Sequence, residues 1–247
     1  GMTALGKPAH CRLSAVCNRS SASLQEWENE PGISVFSDYK EMLAAHVCDA
    51  VVITVPHLSH AEIAVEAIRH KIHVLCEKPA AIAASEVRKM LAASEENPSA
   101  SVGIMFNQRV NQIYKALRDK ISNGELGTLR RYNWIANNWW RPDSYYASGS
   151  WRGTWQGEGG GILVNQAPHQ LDLCAWLFGR PESIFAICRE GAYRDISVDD
   201  EVTLVSAYPG GAIGVFTACT TDPLGKNRLE IDFSKGKVIV DEDREAT

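Results

Sequence analysis

The spacing of apolar residues changes part-way along the chain, and the change divides it in two. In residues 1–106 short apolar runs alternate with helical patterns. Residues 13–17 read as a strand, 50–55 (Ala-Val-Val-Ile-Thr-Val) as a continuously apolar strand buried on both faces, and 73–76 and 101–106 as further strands. Between them, 21–30 reads as a weak helix. Residues 60–70 place Ala61, Ala64, Val65 and Ile68 on one helical face, and 85–95 repeat the pattern with Val87, Met90, Leu91 and Ser94. Strands separated by helices of this length predict a parallel sheet with helices on both faces.

From residue 107 the pattern is different. An amphipathic helix carries Val110, Ile113, Tyr114, Leu117 and Ile121 and ends at Asn123-Gly124, and a strand follows over 129–137. Residues 138–158 are rich in Trp, Tyr, Gly and Arg without a clear period, a kind of long segment that is often functional. Residues 168–178 read as a helix stopped by Gly179. The strands 183–189, 201–208, 212–220, 228–233 and 237–240 follow, with Pro209-Gly210-Gly211 as a tight hairpin. Asp199-Asp200-Glu201 reads as a solvated turn. The expected architecture is α/β: a truncated Rossmann-type parallel sheet domain (1–106), then an α+β domain with a mainly antiparallel sheet (107–247).

Composition narrows the partners. The 247 residues are 45% hydrophobic and 22% charged, enough to bury a sizeable core. A net charge of −5 with no concentrated Lys/Arg stretch argues against nucleic acid. No apolar run approaches the roughly 20 residues that span a bilayer, so no membrane partner is expected and the expected compartment is the cytoplasm. Seven scattered cysteines without a Cys-x-x-Cys pair read as reduced thiols. His57/His60 and His70/His73 are spaced as two ligands could be, but no carboxylate or Cys completes a set, so no metal is expected.

The candidate chemistry lies in two places. Glu77-Lys78-Pro79 follows a short apolar strand, where open α/β sheets collect ligand-binding groups. Much later, Gly159-Gly160-Gly161 precedes Asn165, His169 and Asp172 at helical spacing. A lysine and a histidine from separate segments suit proton transfer coupled to hydride transfer. Trp139, Trp140, Tyr145, Tyr146, Trp151 and Trp155 make either a packed cluster or a stacking wall for a sugar. No Gly-x-Gly-x-x-Gly stands between a first strand and a helix.

Thr54-Val55-Pro56-His57 with His60, Glu77-Lys78-Pro79, Asn107-Gln108-Arg109, Trp151-Arg152-Gly153-Thr154-Trp155, Glu158-Gly159-Gly160-Gly161 and His169-Gln170-Leu171-Asp172 together resemble the Gfo/Idh/MocA oxidoreductases. The resemblance runs over nearly the whole chain in the family's order. It implies an NAD- or NADP-dependent dehydrogenase acting on a sugar, cyclic polyol or related hydroxy compound. Lys78 and His169 would be catalytic, with His169 exchanging the substrate's hydroxyl proton. Asn18, Arg19, Thr54, Pro56, His57, His60, Glu77, Lys78 and Asn107 would line the cofactor, and Arg109, Trp151, Arg152, Asn165 and His169 would face the substrate. Asn165 stands where the family commonly has Asp, so its support for a protonated neighbour would be weaker. Neutral Asn18 followed by Arg19 tolerates a 2′-phosphate, which leans toward NADP.

By the same resemblance the chain starts inside the family's first helix and stops short of the end of its second domain. Without the first strand and the glycine turn, β-ladder groups in mid-sheet would need new partners, and dinucleotide binding should be weak. A catalytically silent binding or assembly protein is the rival reading. The open face of the second sheet implies a homo-oligomer.

Overall fold

A computed structural model describes residues 11–149 and 151–246. The described residues separate into two compact units, one holding those up to Val55 with Ser59–Ile104, the other Pro56–Leu58 with those from Met105 onward.

In the first unit β1 (Ala15–Cys17) is followed by the short helix α1 (Ser21–Leu24), β2 (Ser34–Phe36), α2 (Tyr39–Ala44), β3 (Ala50–Ile53), α3 (His60–Arg69), β4 (His73–Cys76), α4 (Ala84–Glu96) and β5 (Val102–Ile104). Every pairing is parallel. The strands nevertheless form two sheets, β1-β2 and β3-β4-β5, and β1 and β3 share no ladder among the described residues. The helix expected over 21–30 is cut to one turn, since nothing in Trp27-Glu28-Asn29-Glu30 continues an apolar face and Pro31 with Gly32 at φ +79° ends it. In its place the chain builds β2 and α2, the latter begun by the Asp38 carboxylate, which accepts the Lys40 N–H at 2.8 Å.

The three-stranded sheet differs from the expectation in one respect. Val51, Ile53, Val74 and Cys76 point into a core with Ala64, Ala67, Ile68, Met90 and Ala93 of α3 and α4. The opposite face is open among the described residues, with Val52 52% and Leu75 36% exposed. The run 50–55 is therefore buried on one face, not two. Burial on that face pushes the Cys76 thiol up to about 12.

The second unit is built on one seven-stranded sheet in the order β12-β11-β10-β6-β9-β8-β7. After α5 (Gln112–Ser122) come β6 (Leu129–Ala136), the short helix α6 (Asp143–Ala147) and α7 (Pro168–Phe178). The remaining strands are β7 (Ser183–Glu190), β8 (Asp199–Ala207), β9 (Ile213–Cys219), β10 (Asn227–Phe233), β11 (Gly236–Asp241) and β12 (Glu245–Ala246). Its ladders are antiparallel except the one between β6 and β9. Alternation sends Tyr132, Trp134, Val202, Leu204, Phe216, Leu229 and Ile231 to one face, where they pack with Tyr114 and Leu117 of α5 and Leu173 and Leu177 of α7. The other face carries Phe185 (68% exposed), Ile187, Ile135 and Val205 uncovered. Asp199-Asp200-Glu201 is the start of β8, not a solvated turn: Asp199 and Asp200 are buried and accept backbone N–H groups. All seven cysteines are free. Among the described residues no helix is long and apolar enough to cross a membrane.

Candidate active site

The turn that opens α7 is held from a distance. Gly161 and Leu163 donate their backbone N–H groups to the two carboxylate oxygens of Asp199, both at 2.9 Å, and Ile162 donates to the Asp199 carbonyl at 2.8 Å. Three successive amides thus close on one residue at the start of β8. The approach requires glycine: a Cβ on Gly161 would lie 1.9 Å from the Asp199 carbonyl oxygen. The chain then turns through Asn165 N–H to Gly161 O (2.9 Å) and Ala167 N–H to Ile162 O (2.8 Å), and Pro168 begins the helix at a position that needs no N–H. His169 follows in the first turn, its ring edge-on to Phe106 with 6.2 Å between centroids.

Asn165 is the hub of a polar cluster in the same unit. Its side-chain amide donates to the Tyr145 hydroxyl at 3.2 Å and to the Glu158 carboxylate. Glu158 is 2% exposed, and its other oxygen accepts the Gly153 N–H at 2.8 Å. Arg152 donates to the same Tyr145 hydroxyl at 2.6 Å and lies 4.3 Å from the Tyr145 ring centroid and 4.4 Å from that of Trp151. The His57 imidazole meets the Glu158 carbonyl at 3.0 Å and Trp151 edge-on, so this residue stands with the second unit. Asn165 does lack a charge, but a buried carboxylate is hydrogen-bonded to it.

The remaining residues singled out in the sequence divide by unit. In the first, Thr54 is exposed just beyond β3, Lys78 is half-buried just beyond β4, and Asn18 and Arg19 are exposed just beyond β1. These are the carboxyl ends of parallel strands, where open sheets bind ligands, so the side chains present fit a dinucleotide. Glu77 accepts the Lys78 backbone N–H at 3.2 Å. His60 is only 1% exposed, and its two nitrogens meet the carbonyl oxygens of Val55 and Pro79, both at 2.7 Å. Its evident work is to tie the loop after β3 to the loop after β4. In the second unit Pro56 and Asn107 are exposed. Arg109 makes a two-pronged pair with Asp172 (2.7 and 2.6 Å), a contact that raises its pKa and uses the edge it would otherwise offer a substrate. Arg152 has no such carboxylate partner among the described residues.

Sequence reasoning missed Glu158 and Asp199 as site residues, and took Tyr145 only for its ring. Glu158 adjoins the three glycines, which is a usable signal. Asp199 stands 38 residues from its partner Gly161, and nothing local reveals the contact.

Comparison with known proteins identifies the family. Residues 3–104 match the oxidoreductase family with an NAD-binding Rossmann fold, and residues 114–239 match the GFO/IDH/MocA C-terminal domain. The chain belongs to the Gfo/Idh/MocA oxidoreductases. It is thus an NAD(P)-dependent oxidoreductase by family. The myo-inositol 2-dehydrogenase of Thermotoga maritima is 26% identical over 249 residues, which cover 95% of this chain and 69% of that protein. The WlbA dehydrogenase of Bordetella pertussis, solved with NADH and UDP-GlcNAcA, is 28% identical with a TM-score of 0.87, over 95% of this chain and 72% of that one. A levoglucosan dehydrogenase solved with NADH and L-sorbose, 22% identical with a TM-score of 0.81 over 94% of this chain and 65% of that one, shares the fold.

Proposed function

We propose that the chain carries out reversible oxidation of a secondary hydroxyl on a sugar, cyclic polyol or related compound. The observation that supports it most is the set of Asn165, Glu158, Tyr145 and Arg152 around the turn that opens α7, with His169 one helical turn after Asn165. Such groups suit a molecule covered in hydroxyls, and the relatives include dehydrogenases of inositol and of sugars. NAD or NADP, when bound, supplies a nicotinamide carbon that accepts hydride. Lys78 stabilises the developing alkoxide, His169 takes the hydroxyl proton, and Asn165 orients the hydroxyl. Asn18 and Arg19 favour NADP over NAD through room for a 2′-phosphate. The test is nicotinamide reduction with each cofactor against a panel of cyclitols, aldoses and sugar derivatives; no reduction with any would defeat the proposal.

A family member that binds without turnover is the second reading. Titration with NADH and NADPH separates the two readings. Micromolar affinity supports the oxidoreductase; absence of binding supports the silent relative.

We also infer a homo-oligomer. The uncovered face of the seven-stranded sheet presents Phe185, Ile187, Ile135 and Val205 beside one another, and a second copy supplies a matching face. Sedimentation equilibrium at micromolar concentration should show a dimer or larger, and Phe185→Asp should shift it toward monomer.

A further inference from the structure

Two guanidinium groups lie against the Tyr145 ring, that of Arg152 at 4.3 Å and that of Arg141 at 5.1 Å. Both residues are half-buried, and neither forms an ion pair with a carboxylate among the described residues. By contrast Arg109 and Arg194 each have one, and Arg228 has two. The backbone pins Arg141 through its N–H to Thr220 O at 2.9 Å, while its Nε is buried without a hydrogen-bond partner. Its Nη1 reaches only the Trp140 carbonyl, at 3.2 Å. Arg152 spends one N–H on the Tyr145 hydroxyl. Among the described residues the guanidinium groups make no other hydrogen bond.

A chain with a net charge of −5 has carboxylates to spare, so two partly desolvated, unpaired cations on one ring are not a shortage of acids. Aromatic faces offset part of the cost of holding them there. The Tyr145 hydroxyl accepts from Arg152 and from Asn165, so neither bond uses its own proton.

We propose that Arg141, Arg152 and Tyr145 form an oxyanion clamp, and that the preferred substrate is an acidic sugar or polyol, bearing a carboxylate or a phosphoryl group. This rests on the sugar or polyol reading above and narrows it. Planar guanidiniums bind such oxyanions through paired, charge-assisted hydrogen bonds. Because Asn165 links Tyr145 to Glu158 and lies one helical turn before His169, an anion held on the clamp fixes which carbon of the substrate faces that helix.

Calorimetric titration with D-glucuronate, D-glucose 6-phosphate and D-glucose, in the presence of NADH, tests the clamp without requiring turnover. At least one of the two acids is expected to bind about tenfold or more tightly than glucose, and raised salt should erode that advantage. Which acid wins identifies the oxyanion. Arg152→Gln and Arg141→Gln should each reduce the acid-to-neutral ratio by about tenfold, and the second variant serves if the first does not fold. Equal affinities, no binding by any of the three, or an acid preference that survives both substitutions would overturn the proposal. Failure of the oxidoreductase reading looks different: acids bind preferentially, yet no sugar reduces nicotinamide.

Discussion

Lys78 and His169 differ in what holds the nearest backbone amide. Lys78 follows directly from a strand whose apolar residues build the core beneath it, and its backbone N–H is taken by the side chain of its own neighbour, Glu77. His169 sits at the start of a helix whose lead-in turn is gripped by Asp199, from another part of the chain. The Lys78 loop has distant ties as well, Glu77 N–H to Ile53 O at 2.9 Å and His60 to Pro79 O at 2.7 Å, but its Glu77-Lys78-Pro79 motif is compact in the sequence. A loop fixed by a distant carboxylate leaves only the glycine that permits the approach.

The largest expected effects fall on the two residues themselves. Lys78→Ala and His169→Ala should each lower turnover on the best substrate by about 100-fold or more, the scale of acid–base and electrostatic contributions. If only one variant is impaired, the two segments do not share a reaction.

Next in size is the grip on the second segment. Asp199→Ala leaves one buried and one half-buried N–H group without acceptors, at a cost of about 2–3 kcal/mol in stability, read from denaturant unfolding. The loss should be accompanied by faster hydrogen exchange at Gly161 and Leu163. Glu77, by contrast, holds a half-exposed amide, and Glu77→Ala should cost less than about 1 kcal/mol. Equal losses in the two variants would erase the contrast.

Much of the fold was legible in the sequence. The helix 168–178 appears residue for residue as its period and Pro/Gly boundaries imply, and the Pro209-Gly210-Gly211 turn has both glycines at φ +85°. The family motifs point to the two segments on which the proposed chemistry rests. What escaped was short or long-range. β2 has three residues, too few to show a period, and α2 is announced only by its Asp38 cap. Asp199 and Asp200 looked like a solvated pair because charge suggests exposure, whereas their partners, Gly161, Leu163 and Ala192, are remote or unremarkable in sequence. The single-sided burial of 50–55 was hidden because an apolar residue reads the same whether or not its face is covered.

Glu158 offers a smaller, sharper probe of the second segment. Glu158→Gln keeps the shape but removes the charge beside Asn165, and kcat/KM should fall by about tenfold with little change in unfolding. The smallest effect is expected on the open face of the seven-stranded sheet. There Lys237 and Arg228 hold the Glu230 carboxyl at about 2, below its ordinary 4.5. A depressed carboxyl pKa contributes stability that is complete above the ordinary value and is lost as pH falls through the folded one. The cluster lies at the surface, so the unfolding temperature of the wild type should drop only slightly more than that of Glu230→Gln between pH 4.5 and 2, and salt should remove the difference.

Isotope transfer shows whether this chain moves a hydride from a substrate carbon with Lys78 and His169 in attendance. Sugars and cyclitols deuterated at their secondary carbons are incubated with the protein and NAD or NADP, and the reduced nicotinamide is examined by mass spectrometry. The expected result is one deuterium per nicotinamide reduced, with the yield cut to about one hundredth or less in Lys78→Ala and His169→Ala. Nicotinamide that stays oxidised with every substrate, or that gains deuterium equally fast in both variants, would contradict the account.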